Sequence, residues 1–127
     1  MKIAITWDKH RLEAELLDTP TSRAVIAALP LESKTQTWGD EVYFEIPITA
    51  KLEPTAVDVV DPGTICFWVQ GSSLALPFGP TPASKGSECR LVTRVNVLGR
   101  IVGDAGSLKS VRSGDRIRVE RAPAGVQ

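Results

Sequence analysis

The chain has 127 residues, 43% hydrophobic and 24% charged, and its 15 Lys plus Arg balance 15 Asp plus Glu. That length suits one domain able to bury most of its apolar surface without metal or disulfide staples. The neutral balance leaves no electrostatic footprint for nucleic acid or an anionic membrane, and no apolar run approaches the ~20 residues that span a bilayer.

The opening MKIAITWDKH alternates with polar residues and lacks the long apolar run and small-residue cleavage site of a signal peptide, so a cytoplasmic protein is expected. Ile3, Ile5 and Trp7 share one face of a first strand. Asp8-Lys9 turns the chain into a second, with Leu12, Ala14 and Leu16 inward, giving a hairpin with one wet face. A helix of about ten residues follows. Asp18 or Thr19 can cap it, Pro20 suits its first position, Val25, Ala28 and Leu29 share a face, and Pro30 ends it. So short a helix must pack on something, and in a barrel it would plug an open end.

Thr35 to Pro47 reads as strand, tight turn at Gly39-Asp40, strand, with Val42, Phe44 and Ile46 on one face and Tyr43 and Glu45 on the other. Ile48 to Glu53 continues as a short extended piece, and Val57 to Val60 is a further strand candidate. The stretch Thr64 to Ser84 organises the chain: it holds two of the three phenylalanines and one of the three tryptophans. Ile65, Phe67 and Val69 oppose Cys66, Trp68 and Gln70 across one strand. Gly71-Ser72 fits a turn with a positive φ at its first position. Leu74, Leu76 and Phe78 alternate in the next strand, where Pro77 marks a sheet edge or the strand's end.

Gly79 to Glu88 reads as a loop, and Val92 to Gly103 as a strand in which Gly99 marks a bulge or barrel corner. Leu108 and Val111 suggest a helical turn, Arg116 to Arg121 is a last strand, and 122–127 read as a frayed tail, leaving residues 1–121 as one domain.

Three blocks, TWGDEVYFEIP (Thr37 to Pro47), GTICFWVQGSSLALPFGPTPAS (Gly63 to Ser84) and VNVLGRIVGD with LKSVRSGDRIRV (Val95 to Val119), resemble a family of small prokaryotic cyclophilin-like proteins, largely of unknown function. The resemblance runs in order along nearly the whole chain. It implies an all-β fold, an eight-stranded closed cyclophilin-like barrel with one or two short helices. True cyclophilins are peptidyl-prolyl isomerases, but a fold does not carry an activity across. Their Phe-His-Arg motif follows the helix, and the corresponding SKTQTWGDEVYFE contains no arginine. The single histidine, His10, lies in the first hairpin, and no late tryptophan or histidine is present.

Prolyl isomerisation faces a barrier of about 20 kcal/mol from amide resonance and needs an apolar pocket with a donor for the twisted amide. Arg94 and Arg100 are the catalytic candidates, although surface arginines are usually solvated. Trp38, Tyr43, Trp68 and Phe78 either line a ligand pocket or belong to the core. Thr81 and Pro82 lie in the loop after Phe78, where binding residues collect, and Gln70 and Asn96 could offer amides to a ligand or only to the backbone.

No serine has a histidine partner for a nucleophilic triad, Asp40 and Glu41 face opposite ways on a strand, and the turn glycines form no phosphate loop. Cys66, in a strand, and Cys89, in a polar segment, read as free thiols, and one histidine with two distant cysteines is a poor metal set. No metal and no cofactor is expected. The leading reading is a binding module for a small molecule or proline-containing peptide, with no nucleic-acid or membrane partner. Its rivals are a divergent prolyl isomerase using Arg94 or Arg100, and a subunit of a larger amide-cleaving assembly.

Overall fold

In the computed structural model, which describes residues 1–123, the alternating segments form ten strands, one α-helix and one 3-10 helix. The first hairpin is β1 (Lys2–Trp7) and β2 (His10–Leu16), in the expected register with Trp7 opposite His10. Helix α1 (Pro20–Ala28) is capped by Thr19, whose side chain accepts from the Ser22 amide at 3.0 Å, and it drives Val25 into the interior. Then come β3 (Leu31–Lys34), β4 (Gln36–Thr37), β5 (Glu41–Glu45) and β6 (Val57–Val60). The central hairpin is β7 (Thr64–Trp68) with β8 (Ser73–Pro77). Strand β9 (Cys89–Val102), the 3-10 helix Ala105–Ser110 and β10 (Arg116–Arg121) complete the order. Residues 124–127 of the expected tail lie outside the described residues.

The strands pair in the order β3-β10-β1-β2-β9-β7-β8-β5-β4, all antiparallel, with β6 added to β9. The all-β expectation holds, with two corrections: among the described residues there are ten strands rather than eight, and no backbone ladder joins the two ends. The reason is a partner switch at Thr35. β3 pairs with β10 and β4 with β5, so the two ends of the sheet are carried by one stretch of chain with only Thr35 between them. Thr35 is buried, and its hydroxyl lies within reach of the carbonyls of Arg112 (3.0 Å) and Asp115 (3.1 Å). Beside it, the Ser33 hydroxyl donates to the Glu45 carbonyl at 2.6 Å, crossing the gap between β3 and β5.

Inward residues of the strands fill the interior, with Ile3, Ile5, Ile65, Phe67 and Leu98 fully buried and Leu108 of the 3-10 helix among them. At roughly 1.5–3 kcal/mol for each fully buried large side chain, this interior supplies the main driving force for folding.

Strand β9 pairs with three neighbours. Its end (Gly99 to Val102) meets β2, its middle meets β7, and its first half meets β6. The ladder with β7 shifts between Ile65, opposite Gly99, and Cys66, opposite Val97, so the expected bulge is present. Gly99 is required there because a Cβ on it would lie 2.0 Å from the Glu15 carbonyl oxygen.

Three local expectations are corrected, and the one on Pro77 holds. Ile48 to Glu53 is not a strand; the Glu53 amide is instead pinned at 2.8 Å by the Asn96 side chain. The positive φ of the central turn falls on Ser72 (46°), and Gly71 serves space instead, since a Cβ there would meet the Trp68 ring at 2.3 Å. Pro77 ends β8, one of the two readings the sequence allows, and β8 lies inside the sheet between β7 and β5. Cys89 lies in β9 and is buried, because the strand begins three residues earlier than Val92.

Replacing Gly99 by Ala forces a methyl group into backbone, where no side-chain rotation relieves it. We expect Gly99→Ala to destabilise the chain by roughly 3 kcal/mol, the upper end of ordinary overpacking, as read by urea denaturation. A change within ~0.5 kcal/mol would show that β2 and β9 are not held this closely.

Candidate functional site

A second, smaller apolar cluster sits on the opposite face of β7 and β8 from the interior. It consists of Cys66, Ala75, Leu91 and Val95, with Tyr43, Val60 and Trp68 packed around it. The outward face of a barrel wall is ordinarily wet. Here the first half of β9 leaves β7, pairs with β6, and brings Leu91 and Val95 over Cys66 and Ala75. Arg90 holds this ribbon together, bonded to Asp58 of β6 at 2.9 Å and to Glu88 at 2.6 Å.

Beside the cluster opens a pocket of about 210 Å³. Trp38, Tyr43 and Trp68 form its aromatic part, and Ala75, Leu91, Val92 and Val95 its aliphatic part. The rings of Tyr43 and Trp68 meet edge to face, with centroids 6.0 Å apart and planes at 86°. The Tyr43 hydroxyl donates to the Gln36 side chain at 3.0 Å, fixing the ring from behind. Trp38 is placed by the turn into β5, where its amide donates to the Glu41 carbonyl at 2.9 Å. That turn rests on the following loop, with the Asp40 amide donating to the Pro80 carbonyl at 2.9 Å. Gly39, at φ 60°, permits the approach: a Cβ there would lie 2.9 Å from both Thr81 and Pro82.

The remaining lining residue is Glu41, only 6% exposed. Two buried side-chain atoms among the described residues have no hydrogen-bond partner, Glu41 Oε1 and Trp68 Nε1, and both belong to this pocket's lining residues. Burial pushes the Glu41 carboxyl up to about 7. Burial also raises the thiols of Cys66 and Cys89, and the negative charge of Glu41 adds to both effects. Both cysteines are free and held as thiols, poor nucleophiles. Two of the pocket's lining residues therefore carry a carboxyl that gains or loses its proton near neutrality and an indole N–H, both in apolar surroundings.

Comparison with known proteins agrees with this architecture. A family model described as cyclophilin-like matches residues 1–120. The chain belongs to the cyclophilin-like family. It is also similar to the hypothetical protein AF2241 from Archaeoglobus fulgidus, whose solution structure shares 37% identity and a TM-score of 0.82, covering 96% of this chain and 95% of that one. No curated protein matches the sequence.

In this cyclophilin-like chain the sequence-predicted site residues divide. Trp38, Tyr43 and Trp68 come together in the pocket. Phe78 packs against the interior core instead. Asn96 is fully buried and its amide is spent inside the protein, donating to Thr21 Oγ1 and the Lys51 carbonyl, both at 2.9 Å, and accepting from Glu53. Thr81 is buried, its hydroxyl donating to the Arg90 carbonyl, and Pro82 is exposed next to Gly39. Gln70 is exposed in the central turn. Arg94 and Arg100 are exposed, and neither lines the pocket.

In the sequence Asp40 and Glu41 face opposite ways and form no acid/base pair, and of the two only Glu41 lines the pocket. The signal that could have found it is its spacing: it lies two residues before Tyr43, on the same face of β5. Among the described residues no three His, Cys, Asp or Glu side chains form a metal-binding group, and no helix is long and apolar enough to cross a membrane.

The raised Glu41 carboxyl makes the stability of the fold depend on pH. Between its ordinary value of 4.5 and about 7, the folded chain holds a proton that the unfolded chain has released. Its contribution is therefore fully present below pH 4.5, is lost as pH climbs to about 7, and is constant above that. The loss amounts to about 3 kcal/mol at most. Glu13, Glu15 and Glu88, held low chiefly by hydrogen bonds to Arg11, the N-terminus and Arg90, act in the opposite sense and at lower pH. Urea denaturation of the native chain should show stability falling from about pH 5 to 7, and Glu41→Gln should flatten that slope. An unchanged slope in the variant would remove Glu41 as its cause.

Proposed function

We propose that this cyclophilin-like chain is a binding module that takes a small molecule, or one side chain of a peptide such as a proline-containing one, in the outer-face pocket. The observation that carries the reading is that two residues lining an apolar, aromatic pocket, Glu41 and Trp68, each hold a buried polar atom, Oε1 and Nε1, without a partner. Native proteins rarely leave buried polar groups unsatisfied, and where they do a ligand is a physical explanation. Ligand pockets combine apolar walls with a few converging polar groups, which describes this lining.

The isomerase alternative needs a guanidinium beside the proline ring. The lining holds no arginine, and Arg94 and Arg100 are turned to solvent, so nothing favours that alternative over binding.

The test is a two-dimensional 1H–15N NMR titration of the intact chain with Xaa-Pro peptides and a panel of small organic fragments. Exchange spectroscopy on the peptides would run alongside. The reading expects shifts at the Trp68 indole N–H and at the amides of Glu41, Tyr43 and Leu91 to Val95, without accelerated cis/trans exchange. Trp68→Phe, which deletes the indole donor, should weaken any such ligand by about tenfold. Shifts confined to another face of the barrel would overturn the proposal. Accelerated exchange would restore the isomerase alternative.

A further inference from the structure

The polarity of the pocket is one-sided. Its single carboxyl, Glu41, has an unpartnered oxygen, and neither lysine nor arginine lines the space. The basic groups on the covering strand do not serve it: Arg90 is committed to Asp58 and Glu88, and Arg94 is exposed. The walls favour a cation as well. Trp38, Tyr43 and Trp68 all line the pocket, and the perpendicular rings of Tyr43 and Trp68 make a corner. The faces of aromatic rings attract cations within about 6 Å, tryptophan most strongly, and the attraction grows when water is excluded. An anion would meet a buried carboxylate, and a purely apolar molecule would leave both polar atoms unpaired.

We propose that the occupant is a small alkylammonium cation, its alkyl groups against Trp38, Tyr43 and Trp68 and its charge beside the Glu41 carboxylate. The proposal rests on the reading of this pocket as a binding site. The Trp68 N–H adds a second feature, an oxygen acceptor elsewhere in the same molecule, which a hydroxyl or carbonyl group provides. The head group could arrive on a free amine or on a methylated lysine side chain, since both present the same chemistry to the rings.

The experiment uses three probes on the unaltered chain, followed at the Trp68 indole resonance, which the spectrum of Trp68→Phe identifies. Choline carries the cation and a hydroxyl. Its uncharged isostere, 3,3-dimethylbutan-1-ol, has the same shape without the charge. N-acetyl-trimethyllysine amide presents the head group on a peptide unit. Choline, the lysine derivative or both should shift Trp68, at least about tenfold more tightly than the isostere. Which of the two binds tells the source. Glu41→Gln should lower the affinity of the binding cation by about tenfold while leaving the isostere's unchanged. The ratio of the binding cation to the isostere needs no variant, so it decides the matter even if Glu41→Gln fails to fold. If the isostere matches the cations, or neutral fragments alone shift Trp68, the cation assignment is overturned and the pocket stands. If no probe or fragment touches Trp68, the binding reading falls with it.

Discussion

Strand β9 serves three partners, and its place between β2 and β7 depends on Gly99. Where it passes β2, the Glu15 carbonyl lies so close that any side chain at this position would collide with backbone. The bulge opposite Ile65 and Cys66 shifts the ladder by one residue, and before Asn96 the strand pairs with β6 instead of β7. One half completes the sheet between β2 and β7. The other lifts away with β6 and carries Leu91, Val92 and Val95 to the outside of the sheet. Without that divergence the outer face of β7 and β8 would be open to water, and Cys66, Trp68 and Ala75 would have no reason to be apolar.

The same divergence creates an electrostatic tension. Covering the face takes Glu41 out of water without giving its carboxyl a partner. A charge in such surroundings is costly, and the carboxyl responds by holding its proton to about pH 7. A residue present only for stability would be better replaced by an apolar one of similar volume. A carboxyl kept in an aromatic pocket at this cost is understandable if something outside the chain relieves it. Perturbed groups in clefts mark functional sites for this reason.

Asn96 and Glu41 show how different two buried polar residues can be. Asn96 is fully engaged, tying the irregular segment at Lys51 and Glu53 and the start of α1 at Thr21 to β9. Glu53 in turn accepts from the amide and hydroxyl of Thr21, placing a carboxylate at the helix N-terminus where the dipole favours it. This network explains how a stretch with no ladder of its own stays attached. Asn96 is a structural amide, whereas Glu41 and Trp68 are left unfinished.

The sequence by itself determined the alternating strands, the capped helix at Thr19 and Pro20, the bulge at Gly99, and a family resemblance along nearly its whole length. These are local or pattern properties: side-chain period, capping chemistry and glycine positions are written in neighbouring residues. It also marked Trp38, Tyr43 and Trp68, because the last two lie opposite their strands' aliphatic sets. Tertiary structure alone decided that the sheet's two ends meet in one stretch at Thr35, since a change of partner between adjacent strands leaves no local trace. It alone sent Asn96 inward and Arg94 and Arg100 outward, and it alone buried Glu41 among the residues that line the pocket. An acidic residue at a strand's start reads as solvated until a distant strand covers it, and burial, which sets its charge, is a property of the assembled fold.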